Sequence, residues 1–187
     1  MGVVAPPAPV QPVAGVLAAS RPLLAAAEEV LATAIAPVSL ASDVALWTHS
    51  DYYQREMGAE IWRRYLVFDI LIAPAELIDL KLLTNAFEDR WRDERGRAVN
   101  LDPGYLDLLR VVLATTKDAA QRIAIGSGLY AEATLHFEHG RFQPWPFTYP
   151  DYAGADALDF FTRARERFRL QRMLKGPTWD GNPRWRR

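Results

Sequence analysis

The chain has 187 residues, of which 50% are hydrophobic and 24% are charged, and its formal net charge is −1. This length suits one domain with a buried core, and the balanced charge argues against a strongly basic nucleic-acid-binding protein. The chain has no cysteine, which excludes disulfides and thiolate metal sites and fits a cytoplasmic location. Prolines interrupt the apolar N-terminus and no apolar run is long enough to cross a bilayer, so we expect neither a signal peptide nor a membrane partner.

The two ends of the chain differ in composition from its middle. Residues 1–11 are rich in proline and alanine, and residues 176–187 combine glycine and proline with arginine and tryptophan. Both compositions are typical of flexible tails, the second one basic. We therefore predict a single globular domain over residues 12–175 between two flexible tails.

Between the tails the spacing of hydrophobic residues changes repeatedly. Alternating or short continuous apolar runs predict strands, and a spacing of three or four predicts helices. In chain order the predicted elements are strand 12–19, helix 21–36, strands 38–47 and 62–71, helix 74–96, strand 106–116, a hairpin over 121–138 and a helix over 156–175.

The first six of these elements have the β-α-β-β-α-β order of a ferredoxin-like split βαβ unit. We therefore predict an α+β fold with a mainly antiparallel sheet, helices on one face, an extra β-hairpin and a C-terminal helix. The hairpin is the strongest local signal, because Ser127 and Gly128 supply a two-residue turn between two alternating runs.

The helix predicted after Pro74 carries polar side chains beside its apolar stripe. Lys81, Thr84 and Glu88 project from one side, because residues three or four apart share a helix face, and Asn85 lies next to Thr84. Two interpretations stay open. These side chains either reach solvent as a weak surface pair or form a polar strip that lines a cleft.

The second arm of the hairpin carries a further polar row. Alternation puts Tyr130, Glu132 and Thr134 on one face. Arg122 on the first arm could pair with Glu132, which would stabilise the sheet and nothing more. Alternatively this face contacts a polar ligand, with Lys117 adding a cation near one end.

Two strings combine turn residues, aromatic residues and a lone carboxylate, namely residues 98–105 and residues 147–152. In the first, Asp102–Gly104 has the residue types of a tight turn, whereas Asn100 is not required by one. Each string is either a structural corner or the rim of a site. The second string contributes Tyr149, Asp151 and Tyr152.

Standard catalytic and cofactor motifs are missing from the sequence. It contains no Walker or Rossmann nucleotide motif and no nucleophile elbow. Two of the three histidines are three residues apart in a predicted strand and face opposite sides, so no zinc site is expected. Magnesium binding by carboxylates alone stays open for Asp102, Glu132 and Asp151.

Several strings also match a known family in order. They are residues 50–58 (SDYYQREMG), 77–88, 99–106, 112–118, 121–135 and 147–152. The chain resembles the bacterial domain-of-unknown-function 4416 family over about residues 13–170. It departs from the family at Ala124, where an aromatic residue is usual, and in both tails. The family has no established activity, so the resemblance implies one domain over nearly the whole chain and no reaction.

The polar residues of these strings lead to one hypothesis about a site. We expect them to converge on a pocket for an anionic or phosphorylated small molecule such as a nucleotide. Lys81, Lys117 and Arg122 would hold the anion. Glu132 and Asp102 are the catalytic candidates, as acid, base or metal ligands. The remaining candidate ligand-binding residues are Asn85, Glu88, Asn100, Tyr130, Thr134, Tyr149, Asp151 and Tyr152.

The sequence leaves the function class open. The first hypothesis is binding, with or without chemical processing, of an anionic small molecule. The alternative is a non-catalytic module that binds a protein partner through an exposed apolar patch. RNA binding on an open sheet face is the weakest alternative, because the charge is balanced and no aromatic RNA-binding motif is present.

Overall fold

The computed structural model describes residues 2–48, 53–94 and 96–175. Its strands alternate along the chain with short helical segments. They are β1 Gln11–Ala18, β2 Val38–Ala41, β3 Ala45–Leu46, β4 Trp62–Phe68, β5 Arg92–Asp93, β6 Gly96–Arg97, β7 Val99–Leu106, β8 Arg110–Thr115, β9 Ile123–Gly126, β10 Leu129–Glu138 and β11 Arg141–Pro144.

Two long helices, one helix of intermediate length and short helical turns complete the described chain. The α-helices are α1 Arg21–Ala34, α2 Gln54–Met57, α3 Leu77–Glu88, α4 Pro150–Ala153 and α5 Ala155–Lys175. Two 3₁₀ turns, Pro74–Glu76 and Asp89–Trp91, flank α3. Ser20 caps α1, because its hydroxyl accepts a hydrogen bond from the Leu23 amide. No helix among the described residues is both long and apolar enough to span a membrane.

The main sheet has the strand order β11-β10-β8-β7-β1-β4-β2, and all neighbouring strands are antiparallel. Strand β4 lies between β1 and β2, which α1 connects, and β1 lies between β4 and β7, which α3 connects. Each β-α-β unit is thus split by a strand of the other, as in a ferredoxin-like core. The predicted α+β class and mainly antiparallel sheet are confirmed.

Helices pack on both faces of this sheet. On one face, Leu24 and Leu31 of α1 and Leu80 of α3 share a buried cluster with Val16 and Leu66 of the sheet. On the other face lies a second cluster, which contains Phe160, Phe161 and Phe168 of α5 with Tyr65 and Val67 of β4. The expectation of helices on one face therefore holds for α1 and α3 and is wrong for α5.

The region predicted as helix, turn and strand over residues 74–116 is arranged differently. Helix α3 ends at Glu88 instead of Gly96, and Gly96 lies in the small β5–β6 pair. The predicted turn at Asp102–Gly104 is wrong, because these residues lie inside β7, paired with β1 along its whole length. Gly104 is required there by a close approach, since a Cβ would lie 2.2 Å from the Val112 carbonyl oxygen.

The β9–β10 hairpin is confirmed, and Ser127 and Gly128 have positive φ angles in its turn. The strict alternation predicted for β10 fails at a bulge between Ala133 and Leu135. A second hairpin, β10–β11, was not predicted; His139 and Gly140 form its turn with positive φ angles.

The N-terminal boundary of the sheet precedes the predicted one. Val10 is buried and bridges to Ile72, and Gln11 already belongs to β1, so the packed chain begins before residue 12. The predicted basic tail, residues 176–187, lies outside the described residues, as do residues 50–52 of the SDYYQREMG string.

Candidate functional site

A cavity of about 340 Å³ opens where β7 and β8 separate. Strand β7 pairs with β1 from Val99 to Leu106, but it pairs with β8 only from Gly104 to Leu106. The predicted site residues that line this cavity are Lys81, Asn100, Asp102, Lys117, Arg122, Glu132, Tyr149, Asp151 and Tyr152.

Helix α3 takes the place of β8 beside the first half of β7. The Leu101 amide donates to Glu88 Oε1 at 2.6 Å, and Lys81 Nζ donates to the Leu101 carbonyl at 2.9 Å. Lys81 and Glu88 can both reach one residue because they are seven apart on the same face of α3. Both are buried, as is Thr84 between them, so these residues are not a weak surface pair, and Lys81 is the one of the three that lines the cavity.

Lys81 is a buried ammonium group with an uncharged hydrogen-bond partner. Its side chain lines the cavity, and the residue is 6% exposed. Within the described residues no carboxylate lies within 4.0 Å of Nζ, and the Leu101 carbonyl is the partner it has. The nearby carboxylate of Glu88 instead pairs with Arg97 at 3.1 Å. Burial raises the pKa of Glu88, and the charge of Lys81 is the first of the effects that oppose this rise, so the two charges still attract each other without direct contact. Burying a charge without a direct ion pair is nevertheless unfavourable.

Two further side chains of β7 face the cavity. Asn100 and Asp102 are two residues apart and so lie on the same face of the strand. The Asn100 amide donates to Asp102 Oδ2 at 2.7 Å and thereby orients this carboxylate. These contacts make residues 98–105 a wall of the cavity and not a corner of the fold.

Arg122 and Glu132 form a buried ion pair in the cavity wall. Arg122 Nε donates to Glu132 Oε2 at 2.9 Å, with side-chain exposures of 8% and 2%. The guanidinium also donates to the Lys117 carbonyl at 2.9 Å and to the Tyr149 hydroxyl. The predicted pairing of Arg122 with Glu132 across the hairpin is thus present. The pair is buried, and the second carboxylate oxygen of Glu132 has no hydrogen-bond partner among the described residues.

The string at residues 147–152 turns into the short helix α4 and brings Asp151 to the cavity. Tyr149 is extended before Pro150, as expected for a residue that precedes proline. Burial, and then the charge of Asp102, raise the pKa of Asp151 to about 6, whereas the nearby Arg63 opposes this rise. Arg63 Nη1 donates to the Asp151 carbonyl at 3.0 Å.

Tyr152 closes the inner side of the cavity. The residue is 3% exposed, and its hydroxyl has no hydrogen-bond partner among the described residues. A Cβ at Gly15 would lie 2.3 Å from this hydroxyl, so the tyrosine fits only over a glycine. Burial, and then the neighbouring Tyr65, raise the pKa of Tyr152 well above its ordinary value, and the hydroxyl therefore keeps its proton.

Aromatic and basic residues that the sequence did not indicate complete the cavity. Trp47 and Tyr53 lie edge to face with ring centroids 5.7 Å apart, and Arg97 lies beside them. Arg97 bridges the carboxylates of Glu56 and Glu88. Trp47 and Tyr53 come from the connection between β3 and α2, whereas Arg97 belongs to β6, and no local pattern joins the two places.

The other predicted site residues lie away from the cavity surface. Glu88 stands behind Lys81, bound to Arg97 and the Leu101 amide. Asn85 is half-buried on α3 and Tyr130 is half-buried on β10. Thr134 is fully buried, and its carbonyl accepts a hydrogen bond from Thr148. The structure therefore brings together most, but not all, of the predicted set.

The cavity does not gather carboxylates in the manner of a metal site. No three histidine, aspartate or glutamate side chains among the described residues lie close enough together to hold a metal ion. Asp102, Glu132 and Asp151 line one cavity but do not form such a cluster. Magnesium binding by these three carboxylates alone therefore finds no support in the described geometry.

Fold and cavity together define an α+β domain on a ferredoxin-like core, with a polar cavity where the sheet opens. The model of one family, described as domain of unknown function (DUF4416), matches residues 8–168. The chain belongs to this family, as its sequence motifs suggested. No curated protein and no solved structure matches the chain.

Proposed function

We propose that this protein binds a small anionic molecule in the cavity between β7 and β8. The observation that carries the proposal is the buried ammonium group of Lys81, which lines the cavity and has a neutral carbonyl as its protein partner. An anion bound next to Nζ would form a direct ion pair in a poorly solvated place, where such a pair is strong.

The other charges of the cavity limit the kind of anion. Lys117 and Arg122 add positive charge, while Asp102, Glu132 and Asp151 add negative charge to the same walls. Such a mixed lining suits a compact anion with a polar remainder and disfavours a polyanion such as RNA. Both sheet faces also carry helices, so RNA binding on an open sheet face is not supported.

The aromatic residues favour a ligand with a flat ring. Trp47, Tyr53 and Tyr149 line the cavity together with the cations. Aromatic side chains bind planar rings by stacking, which makes a phosphorylated, nucleotide-like metabolite the first class to test. The volume of about 340 Å³ lies at the lower end of the range for small-molecule pockets. We also propose that the protein is located in the cytoplasm.

Chemical processing of the ligand would rely on Asp151 more than on Glu132. A carboxyl group with a pKa of about 6 can both accept and donate a proton near neutral pH. Glu132 is held in an ion pair with Arg122 and suits recognition better than proton transfer. Asp102 lies near Asp151 and raises its pKa, so Asp102 is a positioning residue in this scheme.

A thermal-shift screen against nucleotides, sugar phosphates and inorganic anions tests the proposal. A ligand at a hundred times its dissociation constant stabilises the native state by about 2.7 kcal/mol. We expect at least one anion to raise the melting temperature of the wild type and to lose this effect in Lys81→Met. The control is Arg141→Gln, an exposed cation on β11 outside the cavity, which should keep the shift. A well-folded wild type that responds to no anion would refute the proposal.

An exposed apolar patch at the end of α5 favours the second candidate function, a protein-binding module. Leu170, Met173 and Leu174 are 45%, 69% and 85% exposed. Larger apolar patches on a surface mark protein contacts. Light scattering of the purified chain tests this candidate. Self-association that Leu174→Glu abolishes would support an interaction surface, and a monomer at all concentrations would remove self-association as its role.

A further inference from the structure

Glu132 offers a hydrogen-bond acceptor that the protein leaves unused. The residue is 2% exposed, lines the cavity and lies opposite Leu113 in the β8–β10 pair. Its Oε2 atom accepts hydrogen bonds from Arg122 Nε at 2.9 Å and from the side-chain amide of Gln121, through Nε2, at 3.3 Å. Its Oε1 atom is buried and has no partner among the described residues. Buried carboxylate oxygens are nearly always paired, so a free one in a cavity wall indicates a missing donor.

The surroundings hold this acceptor in place. Arg122 fixes the carboxylate through Oε2 and is itself held by the Lys117 carbonyl and the Tyr149 hydroxyl. The carboxylate therefore cannot turn Oε1 towards the arginine without breaking an existing ion pair. A ligand donor that reaches Oε1 would meet an acceptor that is already oriented, which lowers the entropic cost of the contact.

We infer that Glu132 Oε1 accepts a hydrogen bond from an N–H group of the bound anion. The ligand class becomes narrower as a result: a small anion that also bears an amino or amide N–H donor, with its anionic group near Lys81. This inference rests on the proposed function, because it concerns the same cavity. It assigns Glu132 to ligand discrimination, while the positive charges provide the attraction for the anion.

Matched pairs of anions that differ in one amino group test the inference on the wild-type protein. Suitable pairs are adenosine monophosphate with purine riboside monophosphate, glucosamine 6-phosphate with 2-deoxyglucose 6-phosphate, and phosphoethanolamine with ethyl phosphate. In at least one pair we expect the amino member to bind about tenfold more tightly in calorimetric titrations. This factor corresponds to a buried acceptor left unpaired by the other member.

The variant Glu132→Gln separates recognition from general binding. Its amide oxygen can still accept from Arg122, while its NH₂ group replaces the free acceptor with a donor. We expect the variant to bind both members of the responsive pair equally, at the affinity of the wild type for the member without the amino group. Because the comparison of pairs uses the wild type as well, it stands even if this variant folds poorly.

The outcomes distinguish this inference from the proposal on which it rests. Equal binding of both members in every pair by the wild type, with binding lost in Lys81→Met, would overturn the role of Glu132 and leave anion binding intact. An amino preference that Glu132→Gln retains would also overturn it. No binding of any anion would overturn both.

Discussion

Two neighbouring regions cover the same face of the sheet and differ in how well their buried groups are matched. Under α5, the rings of Phe160 and Phe161 are fully buried and pack against Tyr65 at centroid distances of 5.8 and 5.2 Å. In the cavity beside α4, Glu132 is just as buried but keeps an unpaired oxygen. The aromatic region stabilises the fold. The cavity region lowers its stability, because it buries polar groups whose hydrogen bonds a ligand would supply.

The aromatic region should respond most strongly to truncation. Phe160→Ala removes a fully buried ring from the α5 cluster and leaves a cavity, which typically costs about 3–5 kcal/mol. Urea unfolding should show a loss of this size with no change in the preference for any ligand. A loss below about 1 kcal/mol would mean that this cluster is not the stabilising region.

The cavity region should respond to pH through Asp151. Its pKa is raised from 3.8 to about 6, so the folded state favours the protonated carboxyl group. The resulting stabilisation is fully present below about pH 4 and is lost as the pH rises through 6, a change of about 3 kcal/mol. Asp151→Asn should remove this change. We therefore expect the variant to gain stability relative to the wild type between pH 4 and pH 8. A difference in unfolding free energy that is independent of pH would contradict this assignment.

The point where the sheet opens depends on Gly104. A methyl group there would lie 2.2 Å from the Val112 carbonyl oxygen, so Gly104→Ala must push β7 and β8 apart. Overpacking of this kind costs about 1–3 kcal/mol. Gly2→Ala is the matched control, because nothing lies within 4 Å of its added methyl group. Equal stability of the two variants in chemical denaturation would show that the strands do not approach this closely.

Two buried tyrosines on the boundary between the regions provide the finest comparison. The Tyr65 hydroxyl accepts from Arg63 at 2.7 Å and donates to the Asp151 carbonyl at 3.0 Å, whereas the Tyr152 hydroxyl has no partner among the described residues. Tyr65→Phe should cost about 1–3 kcal/mol, because it leaves buried partners unsatisfied. Tyr152→Phe should change stability by less than about 0.5 kcal/mol. Thermal unfolding of both variants checks the ranking, and equal losses would contradict it.

Local sequence patterns predicted the helix of the first region, although not the sheet face that it covers, and part of the second region. Helical spacing placed Lys81, Thr84 and Glu88 on one face of α3, and alternation paired Arg122 with Glu132. These predictions needed only the regular geometry of one helix or one hairpin.

The rest depended on contacts between distant parts of the chain. Asp102–Gly104 has the composition of a turn but lies in β7, because pairing with β1 and the close contact at Val112 override the local preference. Trp47, Tyr53 and Arg97 meet in the cavity only through the fold. No periodicity in the sequence could indicate such a meeting.

The most direct test of the account measures the unfolding free energy of wild type and Lys81→Met, each without and with the anion found by screening. Without ligand we predict a difference within about 1 kcal/mol, because the variant avoids the cost of burying a charge but loses one hydrogen bond and the attraction to Glu88. With the anion we predict stabilisation of the wild type alone. Equal stabilisation of both proteins by the anion would contradict the central claim that the buried cation of Lys81 binds the anion.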